Sequence, residues 1–292
     1  MNVVVLHNPR SGRGLASRLS GRIVTALQER GHRVKPLRVG GDEPVDTEKL
    51  RRADAFVILG GDGSVGYQIT AACESGTPIY HAGTGNENLF SRHFRMRRDP
   101  VAVVRAIEAQ NRARVDLGLV NGDPMLLMLG TGCDAGVIRR FETRRTKAIG
   151  HLAYIEPVFR ETFNPSIRPL SVWVDGEPMI ERGLGQLLIA NCPKYAVNAD
   201  PARHARMDDG LLDIVFMPSR SSVAAAAWMS ASRLRVASRG PGWVEARGSA
   251  VRVEWADEPG PVQIDGEWAR TLTGNTIDIG MRPAALPVLL PG

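Results

Sequence analysis

Cysteine, aromatic residues and long apolar runs are all scarce in this chain. The three cysteines, Cys73, Cys133 and Cys192, are odd in number and far apart, a spacing that excludes the paired ligands of a zinc site and a redox dithiol motif. A reducing cytoplasm is the compartment that fits. Aromatic residues make up 5% of the chain, with four tyrosines and seven phenylalanines scattered along it. They do not interleave with basic residues and no nucleic-acid motif is present, so nucleic acid is not an expected partner. The opening run Val3 to Leu6 is far shorter than a signal-peptide core, and the longest mostly apolar segment, around Val223 to Met229, is too short to span a bilayer. Neither a membrane span nor a signal peptide is expected.

What is present is ordinary globular material. Hydrophobic residues make up 43% and charged residues 23%, which excludes a disordered or fibrous chain. A length of 292 residues leads us to expect two cores. The formal charge of +6 favours an anionic partner: nucleotide, anionic membrane or, without a motif to support it, nucleic acid.

The first hundred residues alternate strand and helix patterns. Asn2 to His7, Arg33 to Val39, Ala55 to Leu59 and Thr77 to His81 read as strands; Ala16 to Arg30, Gly63 to Ser75 and Pro100 to Ala109 read as helices, the last capped by Asp99. That alternation predicts a parallel sheet covered by helices. From about Arg114 short strands dominate: Arg114 to Val120, Met125 to Leu129, Leu170 to Val174, Leu184 to Ala190, Leu212 to Phe216, Val244 to Glu245, Val251 to Trp255 and Thr276 to Ile279. Helical insertions are expected at 135–163 and 222–236. The predicted fold is therefore α/β plus β: a doubly wound nucleotide-binding domain over 1–112, completed by an apolar strand within 283–292, and a mostly β, sandwich-like domain over 113–282. An edge strand of the β domain is a surface through which a homodimer could form.

Three glycine-containing loops follow strands of the first domain: Asn8-Pro9-Arg10-Ser11-Gly12, Gly60-Gly61-Asp62-Gly63-Ser64 and Ala82-Gly83-Thr84-Gly85-Asn86. Glycine lets backbone N–H groups approach an anion, and an aspartate in such a loop suits a magnesium ion or its water shell. Any one loop is equally well a tight turn, with Asp62 as a helix cap. In a parallel sheet, however, all strand-to-helix turns lie on the carboxyl edge, so the three are expected to converge. Gly12-Arg13-Gly14 is followed by Ser17 rather than the third glycine of a dinucleotide fingerprint, and no glycine loop ends in Lys-Ser or Lys-Thr. A dehydrogenase and a P-loop NTPase are therefore disfavoured.

The second domain supplies carboxylates. Gln263-Ile264-Asp265-Gly266-Glu267 is by itself an ordinary hairpin turn. Asp208-Asp209-Gly210-Leu211-Leu212-Asp213 is either a turn or a small oxygen-ligand metal site, and Asp134, after Gly130-Thr131-Gly132-Cys133, stands where a helix cap is the default.

Taken in order, these segments resemble the soluble diacylglycerol kinase and sphingosine kinase family, whose first domain is related to NAD kinases and phosphofructokinases. The family's Asn-Pro-x-Ser-Gly, Gly-Gly-Asp-Gly-Thr and Gly-Thr-x-Asn are matched by Asn8 to Gly12, Gly60 to Ser64 and Gly83 to Asn86. Its glycine-rich segment ending Asp-Ala, its Asp-Gly-x-x-Asp and its Asp-Gly-Glu are matched by Gly130 to Ala135, Asp209 to Asp213 and Asp265 to Glu267. The resemblance implies an ATP-dependent lipid kinase in which Asn8, Ser11, Gly12, Gly61, Asp62, Gly63, Ser64, Gly83, Thr84 and Asn86 line the ATP and Mg²⁺ site. It implies Asp265 as general base, with Glu267 the alternative, a structural Mg²⁺ held by Asp209 and carbonyls such as that of Leu211, and Asp134 on the substrate or hinge side. Two departures stand out. Tyr67 occupies the place of the family's usual glutamate, beside Gln68, and the third loop runs on through Glu87 and Asn88 to Arg92, leaving either Asn86 or Asn88 as its asparagine.

A lipid acceptor is met at a bilayer surface, so peripheral association with the inner membrane is expected. Arg92, Arg95, Arg97 and Arg98, or Arg139, Arg140, Arg144, Arg145 and Lys147, are basic clusters suited to it, or else solvated helix faces. Competing functions are an NAD kinase-like enzyme and a non-catalytic binder on the same fold.

Overall fold

The structure is a computed structural model that describes residues 1–9, 11–40, 43–143, 155–234, 236, 240–272 and 274–292. The chain divides into two compact units, Met1–Leu117 with Pro283–Gly292, and Gly118–Arg282.

In the first unit, strands β1 (Asn2–His7), β2 (Arg33–Arg38), β3 (Ala55–Gly60) and β4 (Ile79–Gly83) form a parallel sheet in the order β2-β1-β3-β4, and Val288, near the end of the chain, sits beside Ile79 in parallel register. β3 is buried along its whole length because every residue from Ala55 to Gly60 is apolar or glycine, as a central parallel strand covered on both faces requires. Helix α1 (Leu15–Glu29) buries Ala16, Leu19, Ile23 and Leu27, one stripe at helical spacing, and stops before Gly31 at φ 78°.

The helix expected over 63–75 is two helices, α2 (Asp62–Gly66) and α3 (Ile69–Ser75). At the break, the buried Gln68 side chain accepts from the Val45 N–H at 2.8 Å and donates to the Glu43 carbonyl at 3.0 Å. The extended third loop closes into a short helix, α4 (Leu89–His93), and α5 (Pro100–Ala109) starts where Asp99 accepts from the Ala102 N–H.

The second unit is a sandwich. Strands β5 (Arg112–Val120) and β6 (Asp123–Met125) form a hairpin whose first strand begins in the first unit. They are followed by β7 (Met128–Thr131), helices α6 (Cys133–Glu142) and α7 (Ile155–Phe163), and strands β8 (Leu170–Val174), β9 (Glu177–Gly183), β10 (Gly185–Ala190) and β11 (Leu212–Pro218). Helix α8 (Ser222–Arg233) precedes β12 (Val244–Gly248), β13 (Ala250–Trp255), β14 (Val262–Ile264), β15 (Glu267–Trp268) and β16 (Thr276–Leu289).

One antiparallel sheet runs β12-β11-β10-β7-β14-β15; the other pairs β9, β8, β13 and the first part of β16. β13 alternates strictly, with Val251, Val253 and Trp255 inward and Arg252 and Glu254 outward. Its inward residues join Val172, Leu187, Ile189, Ile214 and Ile277 in one core between the sheets. The strand-like piece expected at 285–290 is continuous with the one at 276–279 as β16. Helix α8 ends at Arg233, short of the expected 236; residues 144–154, within the expected 135–163 insertion, lie outside the described residues.

Candidate functional site

The three loops of the first unit touch one another. The Ser11 and Thr84 hydroxyls lie 2.9 Å apart. Gly12, at φ +59°, passes so near the third loop that a Cβ would stand 2.6 Å from the Thr84 carbonyl oxygen, and a Cβ on Gly85 would stand 2.7 Å from the Gly61 Cα. Only glycine permits these approaches. The Thr84 N–H donates to the Gly60 carbonyl at 2.8 Å, the Asn8 N–H donates to the Leu59 carbonyl at 3.1 Å, and the Ser11 N–H donates to the Asn8 carbonyl at 3.1 Å. Asn8, Ser11, Gly12, Gly61, Asp62, Gly63, Ser64, Gly83 and Thr84 therefore form one cluster at the carboxyl edge of the sheet.

The two asparagines of the third loop have different places. Asn88 accepts from the Gly85 N–H and donates back to the Gly85 carbonyl, both at 2.7 Å, so it closes the loop on itself, while Asn86 is exposed at the loop tip. His81, absent from the sequence-based candidates, is fully buried beneath this cluster, and its Nε2 lies 3.0 Å from the Gly60 carbonyl oxygen. Burial lowers its pKa, opposed by the charge of Asp62 and by the Gly60 hydrogen bond. A neutral imidazole with its proton on Nε2 suits that carbonyl.

Asp62 is a cap, though not of the helix it begins: its two oxygens accept from the Leu89 and Phe90 N–H groups at 2.8 and 3.0 Å, at the start of α4. Each carboxylate oxygen keeps a further lone pair. Among the described residues no group of three or more His, Cys, Asp or Glu side chains could hold a metal. These residues fit a Mg²⁺ ion that takes most of its ligands from phosphate and water, with Asp62 facing its hydration shell.

In the second unit Asp265 and Gly266, at φ 53° and 87°, make the two-residue turn between β14 and β15, the positive-φ turn that Asp-Gly favours. The Asp265 carboxylate accepts three backbone N–H groups, from Leu126, Leu127 and Met128, at 2.8, 2.7 and 2.9 Å. Such charge-assisted bonds are worth about 1.5–3 kcal/mol each, so the carboxylate is fixed in place. Glu267, two residues on, is exposed.

The buried Gln263 side chain, another group missed in the sequence, accepts from the Gly266 N–H at 2.8 Å. A Cβ on Gly130 would collide with both Gln263 Nε2 and Asp134 Oδ2, so the bare backbone there lets these side chains approach. Asp134 thus sits behind the Asp265 turn. Its Oδ2 accepts from the Tyr195 hydroxyl at 2.8 Å, and its Oδ1 is buried without a hydrogen-bond partner. Burial raises the pKa of Asp134, opposed chiefly by the Tyr195 hydrogen bond, and raises that of Tyr195 as well. Gln186, Leu187, Leu188, Pro201, Met217 and Met229 close around the pair and leave a void of about 10 Å³, room for a single water.

Asp209 does not fit a metal site. One oxygen accepts from the Leu211 N–H at 3.2 Å and the other meets the Arg247 guanidinium, which also lies 3.3 Å from Asp213. An internal cation, the Arg247 guanidinium, thus stands against Asp209 in the place expected for Mg²⁺.

The proposed membrane clusters are partly spent. Arg92 pairs with Glu87, Arg97 with Asp99 and Arg140 with Glu161, and Arg139 donates to Ser166, while Arg144, Arg145 and Lys147 lie outside the described residues. No helix among the described residues is long and apolar enough to cross a membrane.

Comparison with known proteins follows the same division. Residues 2–120 match the diacylglycerol kinase catalytic domain, and residues 128–290 match the YegS C-terminal NAD kinase beta sandwich-like domain. The chain is 28% identical over 232 residues to a diacylglycerol kinase of Mycobacterium tuberculosis, covering 75% of this chain and 74% of that protein. It is 26% identical over 313 residues to a "Probable lipid kinase YegS-like" of Pseudomonas aeruginosa, covering 99% and 94%. An uncharacterized protein of Synechocystis is 25% identical over 82% of this chain, and the chain spans 55% of that relative's length.

The fold is shared with a solved diacylglycerol kinase structure from Bacillus anthracis, at a TM-score of 0.69 and 16% identity over 99% of this chain and 96% of that one. It is shared more distantly with yeast NADH kinase, at a TM-score of 0.54 and 11% identity over 100% and 83%. The convergent loops, the sandwich and these matches make this chain a member of the lipid kinase family that joins a diacylglycerol kinase catalytic domain to a YegS-type, NAD kinase-like β-sandwich domain.

Proposed function

We propose that this chain transfers the terminal phosphoryl group of ATP to the hydroxyl of diacylglycerol or a related lipid such as a sphingoid base or ceramide. The observation that carries this reading is the convergence of the three glycine loops on one edge of the sheet, tied by the Ser11–Thr84 hydroxyl pair, in a chain whose two domains match the diacylglycerol kinase catalytic domain and the YegS C-terminal domain.

Phosphoryl transfer needs the donor held, its charge neutralised and the acceptor oxygen aligned. The loop amides and the Ser11 and Thr84 hydroxyls bind the phosphates, and Asp62 would hold the metal through its water shell. Bound Mg²⁺ would supply charge neutralisation on the phosphate oxygens. Asp134 accepts a hydrogen bond from the acceptor. Asp265 takes the hydroxyl proton as the new O–P bond forms and the bond to the bridging oxygen of ADP breaks. The three amides on Asp265 give Glu267 a specific claim to the same role, because they compete for the lone pairs a base must offer.

The test is transfer of labelled terminal phosphate from ATP to a panel of lipids in mixed micelles with Mg²⁺, comparing the native chain with Asp62→Ala, Asp265→Asn and Glu267→Gln. Labelled lipid from the native chain, lost with Asp62→Ala and with one of the other two, supports the reading and names the base. ATP binding with no transfer to any lipid overturns it, and offering NAD as acceptor then tests the dinucleotide alternative.

A further inference from the structure

The outward surface of α8 is unusual for a helix facing water, which ordinarily carries its charges outside. Its exposed positions Val223, Ala226, Ala227 and Ser230, continued by Leu234, recur every three or four residues and so share one face. Between Arg220 and Arg233 the sequence has no ionisable residue. Val223 is 69% exposed and Leu234 73%.

Helix α7 adjoins α8, with the Ser222 hydroxyl donating to the Glu161 carbonyl at 2.5 Å. It adds Phe159 and Phe163, 62% and 74% exposed, one helical turn apart with ring centroids 4.8 Å from each other. At the far end of α8, Arg233 donates to the Val197 carbonyl at 2.7 Å and so brings exposed Val197 to the same end. Single exposed apolar residues are normal on any protein. Here the exposed large hydrophobic side chains among the described residues, Met1 and Val101 apart, all fall between Phe159 and Val236.

The surroundings say what covers this surface. From Ile214 to Val244 the sequence contains no Asp or Glu and four arginines. Arg220 and Arg233 bracket the apolar face and are exposed, as are Arg203 and His204. A second copy of this chain seated on the face would set arginine rim against arginine rim, which disfavours a self-pair. An anionic bilayer answers both parts: apolar side chains enter the boundary between headgroups and acyl chains, and the arginines meet the phosphates.

We propose that the exposed face of α8, with Phe159 and Phe163 beside it, docks this chain on an anionic lipid bilayer. The inference rests on the lipid-acceptor reading for its purpose, but docking is measured without ATP and without turnover.

The experiment is co-sedimentation of the full chain with vesicles of phosphatidylcholine alone and of phosphatidylcholine mixed with phosphatidylglycerol, at low and high salt. Two variants are compared with the native chain. In Val223→Asp/Ala227→Glu the aspartate falls in the first turn, where a helix favours negative charge, and glutamate keeps helix propensity, so α8 stays folded. Phe159→Ser/Phe163→Ser alters only the α7 pair.

The native chain is expected to bind phosphatidylglycerol vesicles and to weaken with salt, and each variant to lose roughly tenfold or more of that binding, with melting unchanged and transfer to a short-chain, water-soluble acceptor intact. Native protein that ignores both vesicle types, or variants that bind as the native chain does, overturn the proposal. A native dimer in lipid-free solution that the α8 variant splits into monomers assigns the face to self-association and also overturns it. Vesicle binding that depends on this face, with no phosphate transferred to any lipid, leaves the docking standing and removes the kinase reading.

Discussion

The side-chain hydroxyls of Ser11 and Thr84, 73 residues apart in sequence, share a 2.9 Å hydrogen bond that ties the first glycine loop to the third. Thr84→Val removes the bond and one donor to phosphate, worth about 1 kcal/mol, and is expected to raise the KM for ATP roughly fivefold while the fold survives. Gly12→Ala sets a Cβ against the Thr84 carbonyl at a positive φ and is expected to cost about 1–3 kcal/mol of stability, read as a lower urea midpoint, together with weaker ATP binding. Steady-state kinetics and denaturant titration of the two variants check both expectations.

Asp265 and Glu267 separate by chemistry. Asp265→Asn keeps an acceptor oxygen for part of the amide cluster but cannot take a proton, so lipid phosphorylation is expected to fall by roughly 10²–10⁴-fold while ATP binding holds. Glu267→Gln, at an exposed position, is expected to change turnover little. The reverse pattern in the transfer assay would move the base to Glu267 and leave Asp265 as the clamp that positions the turn.

Arg247 makes a metal redundant beside Asp209 and Asp213. Chelation is expected to leave the melting temperature of the native chain unchanged. Arg247→Ala is expected to lose roughly 1 kcal/mol, since the pair is partly solvated, and to recover stability when Mg²⁺ is added, because two carboxylates are then left without their cation. A native melting temperature that falls on chelation would contradict the replacement.

Asp134 titrates in the direction set by burial. Its folded pKa is raised above the ordinary 3.8, so its favourable contribution is full below about 3.8 and is lost as pH rises through the raised folded value. Asp134→Asn keeps an acceptor for the Tyr195 hydroxyl without the buried charge. The variant is expected to melt above the native chain near neutrality, with the gain shrinking as pH falls toward 3.8, and to phosphorylate lipid more slowly. Melting curves across that range, paired with the transfer assay, check the sign.

Local chemistry was legible in the sequence where it was decisive. The apolar run of β3, the Asp99-Pro100 start of α5 and the inside-outside alternation of β13 each specify their element without tertiary help. Other features depend on distant partners. The single helix read over 63–75 breaks because Gln68 turns its amide to residues 43 and 45. Strand β9, Glu-Pro-Met-Ile-Glu-Arg-Gly, lacks a strand pattern because it lies at a sheet edge and is largely solvated.

The site divides in the same way. Its glycines and Asp62 stand out in sequence, since backbone approach to an anion leaves a local signature. Arg247 could not be read beside Asp209 from 38 residues away, nor could His81 or Gln263 be told from ordinary core polar residues.

Strand β16 carries a consequence for how the molecule is made. Its first residues pair with β13 in the sandwich, whereas Val288 pairs with Ile79 in the parallel sheet. On the ribosome, β4 emerges with that side unfilled and stays so until the whole sandwich has been synthesised. The unit made first is therefore completed last, and until then its open edge is a template for non-native strand pairing.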